Sequence, residues 1–282
     1  MSKRRELLRH IEQLAEIGAL LGAMRSLALA ESRRIATFID AQRETSAIVR
    51  AAYGDLLHDH GERLVTPPTA GRVVCVVGTE RGFCGDLNRR LADDAMAAGH
   101  DAATRWLLVG GRLAEAWPDD GPPTEATIAG AGMADEVLGV QAALLAALTP
   151  LLSSPTLPAL IVHAAGPGGI ARTPLLPMPV PRRDSPARGH AVELNLSPRP
   201  LHAALLDQYL DVSLAGVLLD ALLHENEQRL THMEQARRNV DDRLEALGRR
   251  ANRARQEEIT EEIEVILLAS QPTPAADSES TA

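Results

Sequence analysis

Proline is distributed very unevenly along this 282-residue chain. Of its 18 prolines, 16 lie between Pro67 and Pro200, and the other two are Pro272 and Pro274 near the C-terminus. Inside a helix, proline removes a backbone hydrogen-bond donor and clashes with the preceding turn. Each end of the chain can therefore form one long helix, whereas the middle cannot.

The first proline-free segment runs from about Lys3 to His58 and repeats apolar or small residues at alternating intervals of four and three. This spacing places them along one stripe of a helix, as in the seam of a coiled coil. After polar interruptions at Arg25 and Ser32 the same register returns. The stripe consists of Leu7, Ile11, Leu14, Gly18, Leu21, Ala28, Ile35 and Ile39.

The second segment, from about Leu201 to Ser270, carries a stripe of the same kind. At a rise of about 1.5 Å per residue, each segment predicts a helix roughly 80–100 Å long, and each stripe needs a partner that covers it. The simplest partner is the other helix, since glycine and alanine in both stripes permit close approach. We therefore predict a long antiparallel coiled coil, in which the second stripe consists of Leu230, Met233, Ala236, Val240, Leu244, Leu247, Ala251 and Ala254.

The proline-rich middle of the chain alternates strand and helix signals. Short runs rich in Val, Leu and Ile predict buried strands, and two apolar segments between them predict helices. This alternation is typical of a mostly parallel sheet covered by helices, so we predict a Rossmann-like α/β domain. The strands are predicted at Arg72–Gly78, Arg105–Gly110 and Leu157–His163, and the helices at Leu87–Ala98 and Ala134–Leu152.

The predicted fold is thus an α/β domain inserted between the two arms of a coiled coil. The N-terminal helix is assigned to residues 1–60, the α/β domain to 61–200 and the C-terminal helix to 201–270. Within the middle, Pro174–Pro200 is expected to form a loop or a sheet edge. The polar residues 271–282, with Pro and Ser, are expected to be disordered.

Composition limits both the core and the partners of the chain. Aromatic residues make up only 2 %, which favours packing between helices over one large globular core. The net charge of −9 argues against a general nucleic-acid binder. No apolar run approaches the roughly 20 residues needed to cross a bilayer, so membrane association is expected only through a partner. Cys75 and Cys84 are expected to be reduced, packed thiols.

Two short segments invite a chemical interpretation. Thr79–Asn88 (TERGFCGDLN) follows a predicted strand and opens a predicted helix, but it lacks the lysine of a phosphate-binding loop, so we interpret it as a strand–turn–helix corner. The run His224–Glu227, with His232 nearby, lacks the spacing of a metal site and is interpreted as a solvated helix face. No spacing in the sequence indicates a catalytic triad, an acid–base pair, a cofactor site or a metal site.

Five glutamates cluster near the end of the second helix. Acids near a helix C-terminus oppose the helix dipole, so the cluster is interpreted as a hydrated face, with contact to a basic partner surface as the alternative. Its members are Glu257, Glu258, Glu261, Glu262 and Glu264.

The segment TERGFCGDLN resembles a motif of the gamma chain of F-type ATP synthases, which has the form D-R-G-L-C-G-G-L-N. Asn252–Gln256 (NRARQ), followed by Ile259–Ile263 (ITEEI), is similar to that family's N-x-x-R-Q-x-x-I-T-x-E segment. Ile11 and Ala23-Met24 lie where the family has its I-T-K-A-M segment. The resemblance spans nearly the whole chain and includes its layout of long helix, α/β domain and long helix.

The chain also departs from the family pattern. Gly22 replaces the lysine before A-M, Leu27–Ser32 replaces a basic stretch, and Asp86 replaces a second glycine. Val265 and Ala269-Ser270 replace a C-terminal acid and a Gly-Ala pair. These changes fit a divergent, alternate (N-type, Na⁺-translocating) bacterial rotary ATPase better than a standard housekeeping synthase, and the coupling ion, H⁺ or Na⁺, stays open.

The resemblance implies the central rotor stalk of a rotary ATP synthase, which couples ion translocation through a membrane ring to ATP synthesis or hydrolysis in the beta subunits. The chain itself is then expected to be non-catalytic. Its expected partners are the alpha, beta and epsilon subunits and the membrane c-ring, at the cytoplasmic side of the bacterial inner membrane. Met24, Arg255, Gln256 and Thr260 match family positions that contact the catalytic beta subunits.

Two other functions stay open at the level of sequence. The chain could be a free-standing coiled-coil scaffold with an α/β head, which would form homodimers. It could also be a nucleotide-using α/β enzyme with helical arms, which would bind nucleotide alone. A rotor, in contrast, would be found together with alpha and beta subunits.

Overall fold

The computed structural model describes residues 3–61, 64, 69–153, 156–179 and 193–269. The predicted tail, 271–282, and residues 180–192 of the predicted loop Pro174–Pro200 lie outside these residues. The described ends of that loop belong partly to an edge strand that runs to Leu176 and to the second long helix, which begins at Pro198. In chain order the elements are α1 (Lys3–His60), β1 (Thr69–Val77), α2 (Leu87–Ala97), β2 (Thr104–Val109), α3 (Gly111–Ala116), β3 (Thr124–Ile128), a 3₁₀ turn (Ala134–Glu136), α4 (Val137–Leu152), β4 (Leu157–Gly166), β5 (Gly169–Leu176) and α5 (Pro198–Ala269).

The chain forms two compact units, and both long helices contribute to each of them. The described residues up to Met24 and from Met233 onward form one unit, here called the terminal unit. Arg25–His232 forms the other, the central unit.

In the terminal unit α1 and α5 pair in antiparallel directions. Arg4 lies beside Glu258, with Nη1 and Oε2 3.7 Å apart, whereas a Cβ at Gly18 would lie 3.5 Å from Cγ1 of Val240. Residue numbers therefore rise along one helix as they fall along the other. The predicted seam supplies the core of this unit, formed by Leu14, Leu21, Met233, Val240 and Leu247.

In the central unit the stripe of α1 keeps the same heptad register. Arg25 and Ser32, the two polar interruptions, are half-buried rather than excluded, and Ser32 Oγ donates to the Ala28 carbonyl at 2.9 Å. The register continues beyond the predicted stripe, where Val49, Tyr53 and Leu56 are buried. The polar residues thus interrupt the apolar pattern without ending the helix or its seam.

The sheet has five strands within the described residues, in the order β3-β2-β1-β4-β5. The first four run parallel, and β5 runs antiparallel to β4. The sheet is therefore mixed, and β3, β5 and the short helix α3 were not predicted. β3 has only five residues and β5 contains Pro174, which an edge strand tolerates.

Alternate residues of the central strand β1 face two different hydrophobic clusters. Val73, Cys75 and Val77 pack with α1, α4 and α5, whereas Val74 and Val76 pack with α2 and α3. Cys84 belongs to the second cluster, so the two thiols lie in different cores and both are free. Burial raises the pKa of Cys75 to about 12 and that of Cys84 to about 11, which keeps both thiols protonated.

The stretch Ala134–Leu152 is long and apolar enough to cross a membrane by length and composition, and it is the one such stretch among the described helices. In this structure Leu144 and Leu148 of α4 are fully buried in the cluster against the sheet. Its start is tied to α1, because Glu31 Oε1 accepts the Ala134 N–H at 2.6 Å and Arg34 pairs with Asp135 at 2.6 Å. Only 28 % of the stretch is buried, so this packing covers one face of the helix, and Leu138 outside that face is 72 % exposed. The expectation that no apolar run approaches the length needed to cross a bilayer was therefore wrong.

A second polar tie joins α2 to strands β4 and β5. Asp94 Oδ2 lies 3.0 Å from Nδ1 of the buried His163, and Arg172 Nη2 donates to Asp94 Oδ1 at 2.8 Å. These hydrogen bonds hold the pKa of Asp94 below its usual value, and the bond from Arg172 has the largest effect. A carboxyl of this kind contributes stability above its unfolded pKa and loses that contribution as pH falls through its folded pKa.

We therefore expect Asp94→Asn to lower the melting temperature at pH 7 but to differ less from wild type at pH 3, below the ordinary aspartate pKa of about 4. Melting temperatures measured by circular dichroism at both pH values test this. Asp93→Asn, at an exposed neighbouring position, is the control and should change little at either pH. An equal loss at both pH values would contradict the assigned role.

The antiparallel pairing predicts one specific cross-link. Cysteines introduced together at Gly18 and Val240 should form a disulfide within one chain, since a Cβ at position 18 would lie 3.5 Å from Cγ1 of Val240, which is one bond from the Cβ at position 240. The two Cβ atoms of a disulfide are about 3.8 Å apart. Non-reducing gels should show a compact monomer. Gly18→Cys with Arg238→Cys, whose side chain is exposed, should not cross-link within the chain. A disulfide formed only between chains would show that the seams pair between molecules.

Candidate functional site

The residues predicted to contact a partner on the second helix lie near the end of α5. Arg255, Gln256 and Thr260 are exposed, whereas Ala251 and Ala254 are buried in the seam. Thr260 Oγ1 donates to the backbone carbonyl of Gln256 at 2.9 Å. This bond within the helix does not involve the exposed side-chain amide of Gln256. Three polar side chains are thus presented on the face of α5 that α1 does not cover.

Met24, the predicted contact residue on α1, lies at a different level of the terminal unit. It is 38 % exposed and follows Gly22, whose Cβ position faces Arg237. Arg237 and Arg255 are 18 residues apart on α5, which corresponds to about 27 Å of helix. The structure therefore separates Met24 from the other three predicted residues, so any partner surface must touch two levels.

Met24 is part of an exposed apolar stripe on α1. Ile17 and Leu20, at spacings of seven and four before Met24, are 45 % and 63 % exposed. This spacing places all three side chains on one helix face. That face is not the one that carries the buried seam residues Leu14 and Leu21. An apolar face of this kind is typical of a surface that a partner covers.

The last turns of α5 are also apolar and uncovered, which sequence analysis did not single out. The exposed side chains are Ile259, Ile263, Val265, Ile266, Leu267 and Leu268. The consecutive run Val265–Leu268 is the sequence signal that was missed, because it follows neither the heptad spacing nor any strand pattern. A helix end that is apolar around its circumference calls for a surrounding partner.

The segment Thr79–Asn88 forms the strand–turn–helix corner that its sequence predicts. Asn88 Oδ1 accepts the Thr79 N–H and Asn88 Nδ2 donates to Thr79 Oγ1, both at 2.9 Å. Glu80 Oε2 accepts the N–H groups of Gly111 and Gly130 at 2.8 and 2.7 Å. The corner itself follows β1, and these two glycines follow β2 and β3. The corner therefore joins the ends of three neighbouring strands.

The N–H groups at the start of this turn face a carboxylate of the chain itself. Glu225 of α5 accepts from the N–H groups of Glu80 and Arg81 at 3.4 and 3.3 Å. In a phosphate-binding loop such groups face the ligand. Here an internal anion occupies them, which argues against a nucleotide site at this corner.

The prediction that His224–Glu227 is a solvated helix face was wrong. Glu225 and Asn226 are 3 % and 2 % exposed, and only Glu227 of this run is exposed. The error has a physical cause: charged residues are buried where a partner of opposite charge is available, and here Arg229 supplies it from one turn away. Among the described residues no group of three or more His, Cys, Asp or Glu could hold a metal ion.

A family model described as ATP synthase matches residues 3–270 of the chain. The chain is 35 % identical over 114 residues to the ATP synthase gamma chain of Frankia casuarinae, covering 38 % of each chain. It is 40 % identical over 79 residues to the gamma chain of Saccharopolyspora erythraea, covering 28 % of this chain and 26 % of that one. The chain thus spans less than two fifths of the length of these curated relatives.

Solved structures extend the likeness to nearly the whole fold. The rotor of the Euglena gracilis mitochondrial ATP synthase in rotational state 1 aligns with a TM-score of 0.59 at 15 % identity, over 91 % of this chain and 98 % of that one. The central stalk and c-ring structure from Tetrahymena thermophila aligns with a TM-score of 0.56 at 13 % identity, over 77 % and 99 %. At these identities the likeness establishes a shared fold.

The close packing of the corner predicts the effect of a single methyl group. A Cβ at Gly78 would lie 2.5 Å from Cβ of Leu113 and 2.6 Å from Oδ1 of Asn88. Gly78→Ala should therefore destabilise the protein by about 1–3 kcal/mol, the usual cost of overpacking. Urea denaturation measures the change in the free energy of unfolding.

The matched control is Gly139→Ala in α4, where an added Cβ meets no described atom within 4 Å. Alanine is the better helix former, so this variant should be about 0.5–1 kcal/mol more stable than wild type. Equal effects of the two substitutions would contradict the packing assigned to the corner.

Proposed function

The chain belongs to the ATP synthase family, and we propose that within this family it is the gamma chain, the central stalk that couples ion translocation through a membrane ring to ATP synthesis or hydrolysis. The gamma chains among its relatives and the rotor structures that share its fold support this assignment. We also propose that the chain is non-catalytic and is peripheral to the membrane, on the cytoplasmic side of a bacterial inner membrane.

The observation that carries the proposal is the antiparallel pairing of a 58-residue and a 72-residue helix from the two chain ends. Such a pair is much stiffer than a single helix or a loop, because each seam residue is held between two helices. A stiff pair with exposed apolar side chains on its outer faces suits a shaft that turns inside a sleeve of other subunits.

In the proposed mechanism, the shaft lies inside a ring of alternating alpha and beta subunits. The two helices differ in sequence, so the shaft presents a different face to each beta subunit at any moment. Differential contact shifts the equilibrium between binding states of a nucleotide site. One elementary charge crossing 100 mV supplies only about 2.3 kcal/mol, so several ion movements must be pooled for each ATP, which a stiff shaft permits.

The contact residues in this proposal are Met24, Arg255, Gln256 and Thr260, each facing a beta subunit. The exposure of all four side chains supports the assignment. Their separation along the helix pair favours two contact levels, one at the stripe around Met24 and one at the apolar end of α5. Four of the five glutamates there are exposed and would then face a sleeve that carries basic groups, whereas Glu258 lies beside Arg4 of α1.

The five-stranded sheet with helices α2, α3 and α4, here called the sheet domain, is proposed to bind the epsilon subunit and the membrane c-ring. We also propose that the domain is Rossmann-like, a description supported by the parallel order β3-β2-β1-β4 with helices on both faces. The antiparallel strand β5 is an addition at the edge of that arrangement. No nucleotide binding is proposed for this domain, because Glu225 faces the turn where a phosphate would bind.

The two alternative functions are less favoured. A free-standing scaffold would leave the seams to pair between chains, whereas here Leu14 and Leu21 pack with Met233 and Val240 of the same chain. A nucleotide-using enzyme would need a vacant phosphate-binding turn, and the turn of this chain is filled by its own carboxylate.

Arg255→Ala tests the proposed contact with the beta subunits. A guanidinium presents a planar fork of donors to carboxylate or carbonyl groups, and its loss would leave partner groups unpaired at a cost of about 1–3 kcal/mol. We expect the complex to assemble and its ATP turnover per complex to fall several-fold. The measurement is the ATPase rate of purified complexes whose subunit ratio has been checked by gel.

Arg238→Ala is the matched control, since this arginine lies on the same helix and its side chain is 74 % exposed. It should leave turnover within about twofold of wild type, as expected for a surface change of no more than about 0.5 kcal/mol. Unchanged turnover with Arg255→Ala, or complete failure of that variant to assemble, would count against the assigned contact.

A further inference from the structure

Helix α5 carries three described Glu–Arg pairs at a spacing of four residues, and only one of them is buried. Glu245 and Arg249 form an exposed pair of this kind. Glu234 and Arg238 form an exposed pair, with side chains 49 % and 74 % accessible and 2.8 Å between Oε1 and Nη2. Glu225 and Arg229 form a buried pair, with side chains only 4 % and 6 % accessible. A pair that merely supports its helix has no need of burial, because exposed pairs at this spacing already do so.

The buried pair is fully engaged with its surroundings. Arg229 donates from Nη2 to Glu225, from Nη1 to Asn226 Oδ1 at 2.7 Å and from Nε to the Gly82 carbonyl at 3.3 Å. Glu225 accepts in addition from the N–H groups of Glu80 and Arg81. Burial raises the pKa of Glu225, and the charge of Arg229 opposes that rise. Breaking such a pair leaves an uncompensated buried charge, which is strongly unfavourable.

All of the long-range bonds of this pair end on one turn, residues 79–86. The thiol of Cys84 adds a contact, because Sγ lies 3.7 Å from the Glu225 carbonyl, and a Cβ at Gly85 would collide with the His232 ring. At the outer end of the turn Phe83 has a φ of 66° and is 56 % exposed. A large apolar side chain is thus held outward in a backbone conformation that such residues rarely adopt.

We propose that Glu225 and Arg229 are positioning residues that lock the turn 79–86 to α5, so that this part of α5 and the sheet domain rotate as one body. The proposal rests on the proposed function as a rotor, because only there does the lock have a mechanical role. Its structural part, the lock itself, holds for the chain alone. A lock differs from an ordinary pair along the helix in one respect. In a lock the carboxylate must be at position 225, where it faces the N–H groups of the turn.

The first test is hydrogen–deuterium exchange of the full chain, read on peptides that cover residues 79–86. Glu225→Gln and Arg229→Lys should each accelerate exchange in this turn by about tenfold, as expected when a charged hydrogen-bonding partner is lost. Exchange in the strand β1 that precedes the turn should change much less. Exchange of the turn at the wild-type rate in both variants would overturn the proposal.

A charge swap separates a lock from an ordinary helix pair. The double variant Glu225→Arg with Arg229→Glu keeps both charges and their spacing, but it removes the carboxylate from the N–H groups of Glu80 and Arg81. It should loosen the turn as much as Glu225→Gln does, whereas Glu234→Arg with Arg238→Glu should have no effect on it. Restoration of wild-type exchange by the swap at 225 and 229 would contradict the proposal. If that swap fails to fold, the two single variants still decide.

The second test addresses the rotor and uses complexes reconstituted in lipid vesicles. For each variant we compare ions taken up with ATP hydrolysed, following H⁺ with a pH-sensitive dye and Na⁺ with radioactive sodium. Glu225→Gln and Arg229→Lys should lower the ions moved per ATP by at least about twofold, the lower end of the range for mutations in coupling networks. The Glu234 and Arg238 swap should leave this ratio unchanged.

The two tests fail in distinguishable ways. If wild-type complexes show no ion uptake driven by ATP, the proposed function fails, whatever the exchange data show. If wild-type complexes pump and the variants loosen the turn but keep the wild-type ratio of ions to ATP, the positioning role is wrong and the pair has a structural role only.

Discussion

The antiparallel seam between α1 and α5 is the interaction on which the rest of the structure depends. A helix in a protein gains most of its stability by packing an apolar face, and each of these two helices covers the stripe of the other. The terminal unit has no core other than this seam among its described residues. In the central unit the same pair also supplies one side of the core, where Tyr53 of α1 and Tyr209 of α5 are buried with the sheet. Pairing of the chain ends therefore decides both the coiled coil and the covering of the sheet.

The sheet domain is held to α5 by polar contacts as well as by the apolar core. Its corner at residues 79–86 resembles a phosphate-binding turn in its place after a strand and before a helix, yet α5 supplies the anion through Glu225. The apolar cluster sets where α5 lies, and the hydrogen bonds fix the turn to one stretch of that helix. The proposed role as a stalk that transmits rotation would use both, because apolar packing is non-directional whereas hydrogen bonds are directional.

Sequence alone could predict the elements that depend on periodicity and proline. The heptad stripes located both long helices, and the position of these helices at the two ends of an inserted domain suggested their antiparallel pairing. The apolar runs located three strands. Strand β3 was missed because its five residues carry little pattern. Strand β5 was missed because Pro174 within it weakens the strand signal. The buried Glu225–Arg229 pair was missed because burial of a charge depends on distant chain segments, which local spacing does not reveal. The apolar end of α5 was visible in the sequence at Val265–Leu268, but its exposure depends on where α1 begins.

Native mass spectrometry of the chain co-expressed with the alpha and beta subunits of its own organism tests the central claim most directly. If the chain is the central stalk, it should be found as one copy together with equal numbers of alpha and beta subunits, and the isolated chain should bind no ATP in calorimetry at micromolar concentrations. A stable homodimer free of alpha and beta subunits, or an isolated chain that binds ATP, would contradict the account.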